Sequence, residues 1–184
     1  DYRHVNRFTK SDCFPIPDIS DVLQNVGRAK YISCFDAKSG YWQIPMKPES
    51  RWLTAFACEE GVFEFLRMPF GLKSAGNTFM RVISELLRPI RSFTEPFIDD
   101  FAIYSSTWDE HLEHLTKFLS LIQEHGLTLN LKKFRFAQSQ ITFLGHVIGS
   151  GHIAPNPVKI ATGKDIKPPT NKREVKRLIG FFSY

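Results

Sequence analysis

At 184 residues the chain is long enough for one sizeable core, or for a domain with an appended lobe. A hydrophobic share of 42% with 14% aromatics, including 17 Phe, excludes a disordered tail and predicts a folded globule. Subtracting 19 acidic from 24 basic residues leaves +5, a mild basicity that suits a polyanion partner without requiring one. Cys13, Cys34 and Cys58 are odd in number and lack C-x-x-C spacing. Neither a disulfide framework nor a zinc site follows, and a reducing compartment is expected. No secretory leader opens the sequence and no apolar run reaches membrane-spanning length. The chain starts and stops mid-pattern, which reads as a fragment of something longer.

Residues 1–17 are polar and basic, interrupted by Pro15 and Pro17, which predicts an extended lead-in. Asp18 can cap a helix whose apolar face is Ile19, Val22, Leu23 and Val26, with Gly27 as its stop. Tyr31-Ile32-Ser33-Cys34-Phe35-Asp36 reads as a strand. Its two-residue period sets Asp36 at the end, on the face of Ile32 and Cys34. Ser39-Gly40-Tyr41 reads as a tight turn. Arg51–Cys58 and Val62–Arg67, joined by Glu59-Glu60-Gly61, predict a hairpin. Met68-Pro69-Phe70-Gly71-Leu72-Lys73 is a loop leading to a helix over about Asn77–Arg88. Phe79, Val82, Ile83, Leu86 and Leu87 share one face of that helix, and Pro89 stops it.

Phe93 to Ser105 sets two apolar, aromatic-rich runs around a bare Asp99-Asp100 pair, which predicts a hairpin because Asp tolerates tight turns. Adjacent like charges between aromatic walls repel, and partial burial raises the cost. A solvated acidic turn is one reading. A hard cation such as Mg²⁺, held by carboxylate oxygens, is the other, and it needs a third acid from elsewhere. A helix follows over Trp108–His125, with Leu112, Leu115, Phe118, Leu119 and Ile122 as its stripe and Gly126 as its stop. His111 and His114 share a face of it, and the flanking acids predict solvation rather than metal binding.

Leu127–Leu131, Phe134–Ala137 and Ile141–Ile148 read as short strands, punctuated by Gly145, Gly149 and Gly151. Beyond a soft boundary near residue 150, Pro155, Pro157, Pro168 and Pro169 bracket a short helical piece, and Asn171–Tyr184 begins a second helix. Lys164, Lys167, Lys172, Arg173, Lys176 and Arg177 read as a solvated rim or a contact to duplex phosphates. Helices interleaved with mostly antiparallel strands make an α+β domain. In such a domain the strand-end Asp36 and the turn acids Asp99 and Asp100 can meet at one sheet edge. Three converging carboxylates would suit the paired metal ions that serve polymerases and nucleases.

Five segments then occur in the order of one family. Asp1-Tyr2-Arg3-His4-Val5-Asn6 resembles D-Y-R-x-L-N, and Phe35-Asp36-Ala37-Lys38-Ser39-Gly40-Tyr41-Trp42-Gln43-Ile44 resembles the D-L-K-S-G-Y-H-Q-I block. The loop Met68 to Lys73 matches M-P-F-G-L-K, Phe97-Ile98-Asp99-Asp100 stands at Y-[IVL]-D-D, and Phe143-Leu144-Gly145-His146 matches F-L-G-H. Over essentially its whole length the chain resembles the reverse transcriptase of gypsy-type long-terminal-repeat retrotransposon polyproteins. The resemblance implies a polymerase palm, with an antiparallel sheet packed on helices and partial fingers, over 1–150. Residues 151–184 would be the palm-to-thumb connection and the start of the thumb.

It further implies RNA-directed DNA polymerase activity on a primer–template with dNTP substrates. Asp36, Asp99 and Asp100 would be the catalytic acids and would hold two Mg²⁺ ions, with Mn²⁺ able to substitute and the Ala37 carbonyl as a further ligand. Tyr41 would exclude a 2′-hydroxyl by bulk, with Phe70 and Lys73 also at the nucleotide. Arg67, Gly71, Phe97 and Ile98 would contact template or primer. For Arg67 and Lys73 a solvated surface is the alternative. Met68 and Phe79 are expected to pack. The rest of the polyprotein, with thumb, ribonuclease H and integrase, would be the covalent partner, no membrane would be involved, and the setting would be a cytoplasmic virus-like particle or the nucleus.

The chain departs from the family pattern in several places. Phe97 lacks the usual Tyr hydroxyl at nearly preserved volume. Ser74-Ala75-Gly76-Asn77 lacks the helix-opening proline of N-A-P-A. Trp42 replaces a His, Asn156 an Asp, and the fingertip basic residues belong upstream of Asp1. A non-catalytic relic that folds and binds nucleic acid weakly is the alternative function. The intact acids favour the enzyme.

Overall fold

In the computed structural model, which describes residues 1–164 and 168–182, a four-stranded antiparallel sheet carries the core. The helices are α1 (Arg3–Phe8), α2 (Ile19–Gly27), α3 (Ala75–Leu86), α4 (Trp108–Glu124), α5 (Pro157–Lys164) and α6 (Lys172–Phe182). The strands are β1 (Tyr31–Asp36), β2 (Phe56–Cys58), β3 (Gly61–Phe63), β4 (Thr94–Phe97), β5 (Asp100–Ser105), β6 (Arg135–Gln138), β7 (Ile141–Phe143), β8 (His146–Gly149) and β9 (His152–Pro155). The main sheet has the order β4-β5-β1-β6, β2 and β3 form a separate hairpin, and β7-β8-β9 is a small meander. This is the α+β class that the order of elements predicts.

Alternation along β1 and β5 sends side chains to opposite faces, and each face finds its own cover. Phe35, Phe101 and Ile103 pack with Phe79, Ile83 and Leu87, and with Leu115, Phe118 and Ile122 of α4. Ile32, Cys34 and Ala102 pack with Val22, Leu23 and Val26 of α2, and with Ile141, Phe143 and Ile148 of the meander. Asp18 caps α2 by accepting the Ser20 N–H at 2.7 Å. Thr107 and Glu110 form a capping box at the start of α4, and Gly126, at φ +65, follows its end.

Several expectations are corrected. The lead-in is not wholly extended, since Arg3–Phe8 is helical. Pro48–Thr54 forms 3₁₀ turns, so the strand expected from Arg51 shrinks to Phe56–Cys58 and its partner to Gly61–Phe63. Pro48 stands at the start of those turns, with the fixed φ that a helical first turn accepts. α3 starts at Ala75, and its Ser74 hydroxyl donates to the Lys10 carbonyl instead of capping the helix. Val82 and Leu86 are only half-buried, and Ala75 and Met80 share the buried face with Phe79 and Ile83. The Leu127–Leu131 strand reduces to one bridge, Ala37 with Leu129, before a 3₁₀ turn at Leu131–Lys133. The Ile141–Ile148 run breaks where Leu144 (φ 47) and Gly145 (φ 77) both turn left-handed, the requirement of a tight hairpin turn. Lys167 and Tyr184 lie outside the described residues.

The stripe of α4 is also rotated. Leu112 and Leu119 are 42% and 45% exposed, while His111 is fully buried with Leu115, Phe118 and Ile122. His111 hydrogen-bonds Ser33 Oγ through Nε2 (2.8 Å) and Ser105 Oγ through Nδ1 (2.9 Å). His114 reaches Ser105 Oγ at 2.8 Å and stacks on Phe93. The expected solvation is therefore wrong for His111, while His114 is half-buried. Hydroxyls of β1 and β5 face the helix and satisfy both ring nitrogens of His111, which lets a polar side chain enter the core.

Candidate active site

β1 ends and β5 begins at the same end of the sheet. Their antiparallel register sets Asp36 directly opposite Asp100. Asp99 precedes β5 on the hairpin turn from β4, and its carbonyl accepts the Ala37 N–H at 2.7 Å. The sheet thus brings together the three acids that the sequence places in two distant segments. Phe97 closes β4 opposite Asp100. Ile98 turns the chain at φ 54, a left-handed conformation that strains a β-branched residue by about 1–3 kcal/mol. Its N–H points at Met80 Sδ, 2.8 Å away.

Burial holds the Asp99 carboxyl above the usual carboxylate range, the charge of Asp36 adds to this, and Lys133 opposes it. Asp100 is raised by the same causes, burial foremost, with Asp99 adding further repulsion. Asp36 is held by two residues that sequence reasoning missed. Lys133 Nζ lies 2.8 Å from its Oδ2, and Asn130 Nδ2 lies 3.4 Å from Oδ1. The hydrogen bond to Asp36 raises the Lys133 ammonium in turn. Neither residue carries a local signal, because they stand 97 and 94 positions away from Asp36.

Gly40 makes the corner possible. A Cβ there would stand 2.5 Å from Asp99 Oδ1 and 3.0 Å from Phe79 Cζ. Ser39, at φ 52, turns the chain into the Gly40–Gln43 3₁₀ turn, which presents Tyr41. The Tyr41 ring lies 5.1 Å from Phe70 and 5.8 Å from Phe79. Burial and then the charge of Asp99 push the Tyr41 hydroxyl up. Phe70 is 52% exposed and also meets Trp42, so the acids border an open aromatic shelf. Met68 and Phe79 are buried packing residues, as expected.

Two other nominated residues, both basic, reach backbone carbonyls. Arg67 donates to the Gln43 carbonyl at 2.8 Å, and Lys73 Nζ reaches the Thr9 carbonyl at 3.5 Å. Gly71 bends the loop at φ +93 beside Tyr2. Gln43, a further residue missed from sequence, ties this region together. Its amide donates to Lys38 and Thr128 carbonyls and accepts the Thr128 N–H.

Among the described residues, no group of three His, Cys, Asp or Glu side chains is arranged to hold a metal ion as it stands. The donor set nevertheless fits a hard cation. Asp99 Oδ1 is buried without a hydrogen-bond partner, and repulsion among the acids is met by one ammonium.

This fold superimposes on a foamy viral protease–reverse transcriptase in complex with double-stranded DNA. The TM-score is 0.92 at 28% identity, over 100% of this chain and 32% of the other. A foamy viral protease–reverse transcriptase with an RNA/DNA hybrid gives 0.88 at 28% identity, over 100% and 25%. The architecture is the reverse transcriptase polymerase fold. The family described as reverse transcriptase (RNA-dependent DNA polymerase) matches residues 1–148, and the chain belongs to it. The retrovirus-related Pol polyprotein from transposon opus of Drosophila melanogaster is 38% identical over 185 residues, covering 100% of this chain and 18% of the relative. The enzymatic polyprotein of Cauliflower mosaic virus (strain NY8153) is 33% identical over 184 residues, covering 100% and 27%. The chain therefore spans only 18–27% of these relatives.

Proposed function

We propose that this chain is the catalytic core of an RNA-directed DNA polymerase within a retroelement polyprotein of gypsy type, with 1–150 as fingers and palm and 151–184 leading into the thumb. The observation that carries this is the cross-strand pair Asp36–Asp100 with Asp99 on the adjoining turn. In this reading Asp36, Asp99 and Asp100, with the Ala37 carbonyl, hold two Mg²⁺ ions, or Mn²⁺ in their place. When bound, such ions neutralise charge on the attacking and leaving oxygens of an in-line phosphoryl displacement.

The chain's own residues then supply position and selection. Asp36 and Asp100 are fixed by the ladder, so the carboxylates need little reorganisation. The Tyr41 ring, braced by Phe79, lies beneath the sugar of an incoming dNTP and excludes a 2′-hydroxyl by bulk, while exposed Phe70 offers a stacking surface. Lys73 and Arg67 extend the cationic path for nucleotide and template, with Gly71, Phe97 and Ile98 near template or primer. The working setting is a particle in the cytoplasm, or the nucleus, with primer–template as the polyanion partner.

The test uses the longer polymerase that carries this chain. Asp36→Ala or Asp99→Ala should reduce primer extension by at least about a thousandfold with the fold intact, because a transition-state interaction is lost. Tyr41→Val should keep extension and incorporate ribonucleotides more readily. Full extension by the Asp variants would overturn the reading.

A further inference from the structure

Asn6, on α1, reaches the Met68–Lys73 loop with both ends of its amide. Its Nδ2 donates to the Gly71 carbonyl at 2.8 Å, and its Oδ1 accepts the Lys73 N–H at 2.8 Å. One planar group thus fixes the backbone on either side of Leu72. Gly71 has φ +93, where glycine is at home and where its wide freedom must be given up to hold one conformation. The residue before it is Phe70, whose exposed ring leans on Tyr41 (5.1 Å) and Trp42 (5.9 Å).

The segment that carries Asn6 is anchored separately. The Tyr2 hydroxyl donates to the Thr54 carbonyl at 3.3 Å, and the Asn77 amide donates to the Phe14 carbonyl at 2.9 Å. Asp12 accepts from Arg81 Nε at 3.3 Å and from the Thr78 hydroxyl at 3.4 Å. These contacts tie Tyr2 to the Pro48–Thr54 turns and Asp12 and Phe14 to α3. Asn6 is where that strap grips the loop.

We propose that Asn6 is a positioning residue of the nucleotide pocket: it clamps the Gly71–Lys73 backbone and thereby holds Phe70 beside Tyr41, ready for an incoming dNTP. This rests on the polymerase function proposed above. Without the clamp, the loop samples other conformations and the nucleotide must select the competent one. Apparent affinity then falls by the competent fraction, while turnover at saturation is kept.

Single-nucleotide extension across a dNTP titration tests this in the longer polymerase that carries the chain. Asn6→Asp is isosteric, keeps the acceptor for Lys73 and turns an oxygen toward the Gly71 carbonyl. Asn6→Ser is shorter and releases both groups to water. Each should raise the dNTP KM about tenfold, with kcat within about twofold. Asn77→Asp, which cuts the strap away from the loop, should lower Tm without moving KM. An unmoved KM in the Asn6 variants overturns the inference, as does an equal rise in Asn77→Asp or a failure of both Asn6 variants to fold. No extension by the parent enzyme removes the polymerase reading itself, and the inference with it.

Discussion

At one end of the β1–β5 pair, Ser33 and Ser105 meet the two ring nitrogens of a fully buried His111 at 2.8 and 2.9 Å. At the other end, Asp36 faces Asp100 with Asp99 alongside, and Asp99 Oδ1 is buried with no partner. Both ends take polar groups out of water on the same two strands. The first end matches donors with acceptors, so burial rigidifies the sheet. The second collects like charges, with Lys133 and Asn130 compensating Asp36 and leaving the other two carboxyls raised. The lesson is a division of labour: the satisfied end stabilises the fold, and the frustrated end leaves carboxylate charge that the chain's own residues only partly compensate.

The largest expected effect breaks the satisfied end. His111→Ala removes two buried hydrogen bonds and opens a cavity, which should destabilise the chain by about 3 kcal/mol. Thermal unfolding should show a Tm lower by about 6–12 °C for a chain of this size. A loss below about 1 kcal/mol would mean that the network contributes little.

The next effect rescues the frustrated end. Mg²⁺ at a hundredfold excess over its Kd should stabilise the chain by about 2.7 kcal/mol, and Asp99→Asn should abolish this rise in Tm. A shift of equal size in the variant would place the ion elsewhere.

The smallest effect removes the frustration without metal. Asp99 and Asp100 have raised carboxyls in the folded chain, so their ionisation opposes folding. That penalty is absent below the unfolded value near about 3.9 and grows as pH rises through the folded value. In chelator at pH 7, Asp100→Asn should therefore gain stability, by about 1 kcal/mol or less after solvent screening. Melting curves at pH 7 and pH 3.5 should show the gain only at the higher pH. A gain that persists at pH 3.5 would point to packing rather than charge.

Local chemistry made much of this legible. The Asp18 cap, the alternation of β1, the Asp99-Asp100 turn and the stop at Gly126 all depend on neighbours within a few residues. They emerged near their predicted places. The five family segments named the acids, Tyr41 and Phe70 for the same reason: each is a short string read in place. Other features have no local origin. Helical periodicity alone allowed Leu112 and Leu119 to face inward, and only the hydroxyls of Ser33 and Ser105 turned His111 there instead. The β1–β5 register decided that Asp36 meets Asp100. Chain reversal after α4 brought Lys133 across 97 positions to Asp36, and the strap brought Asn6 across 65 positions to Gly71. The sequence by itself determined which residues could carry the chemistry, because side-chain type and short-range backbone preference are local properties. The tertiary structure alone decided which of them share a corner and what compensates their charge, because strand register and packing sum contacts between segments that lie far apart along the chain.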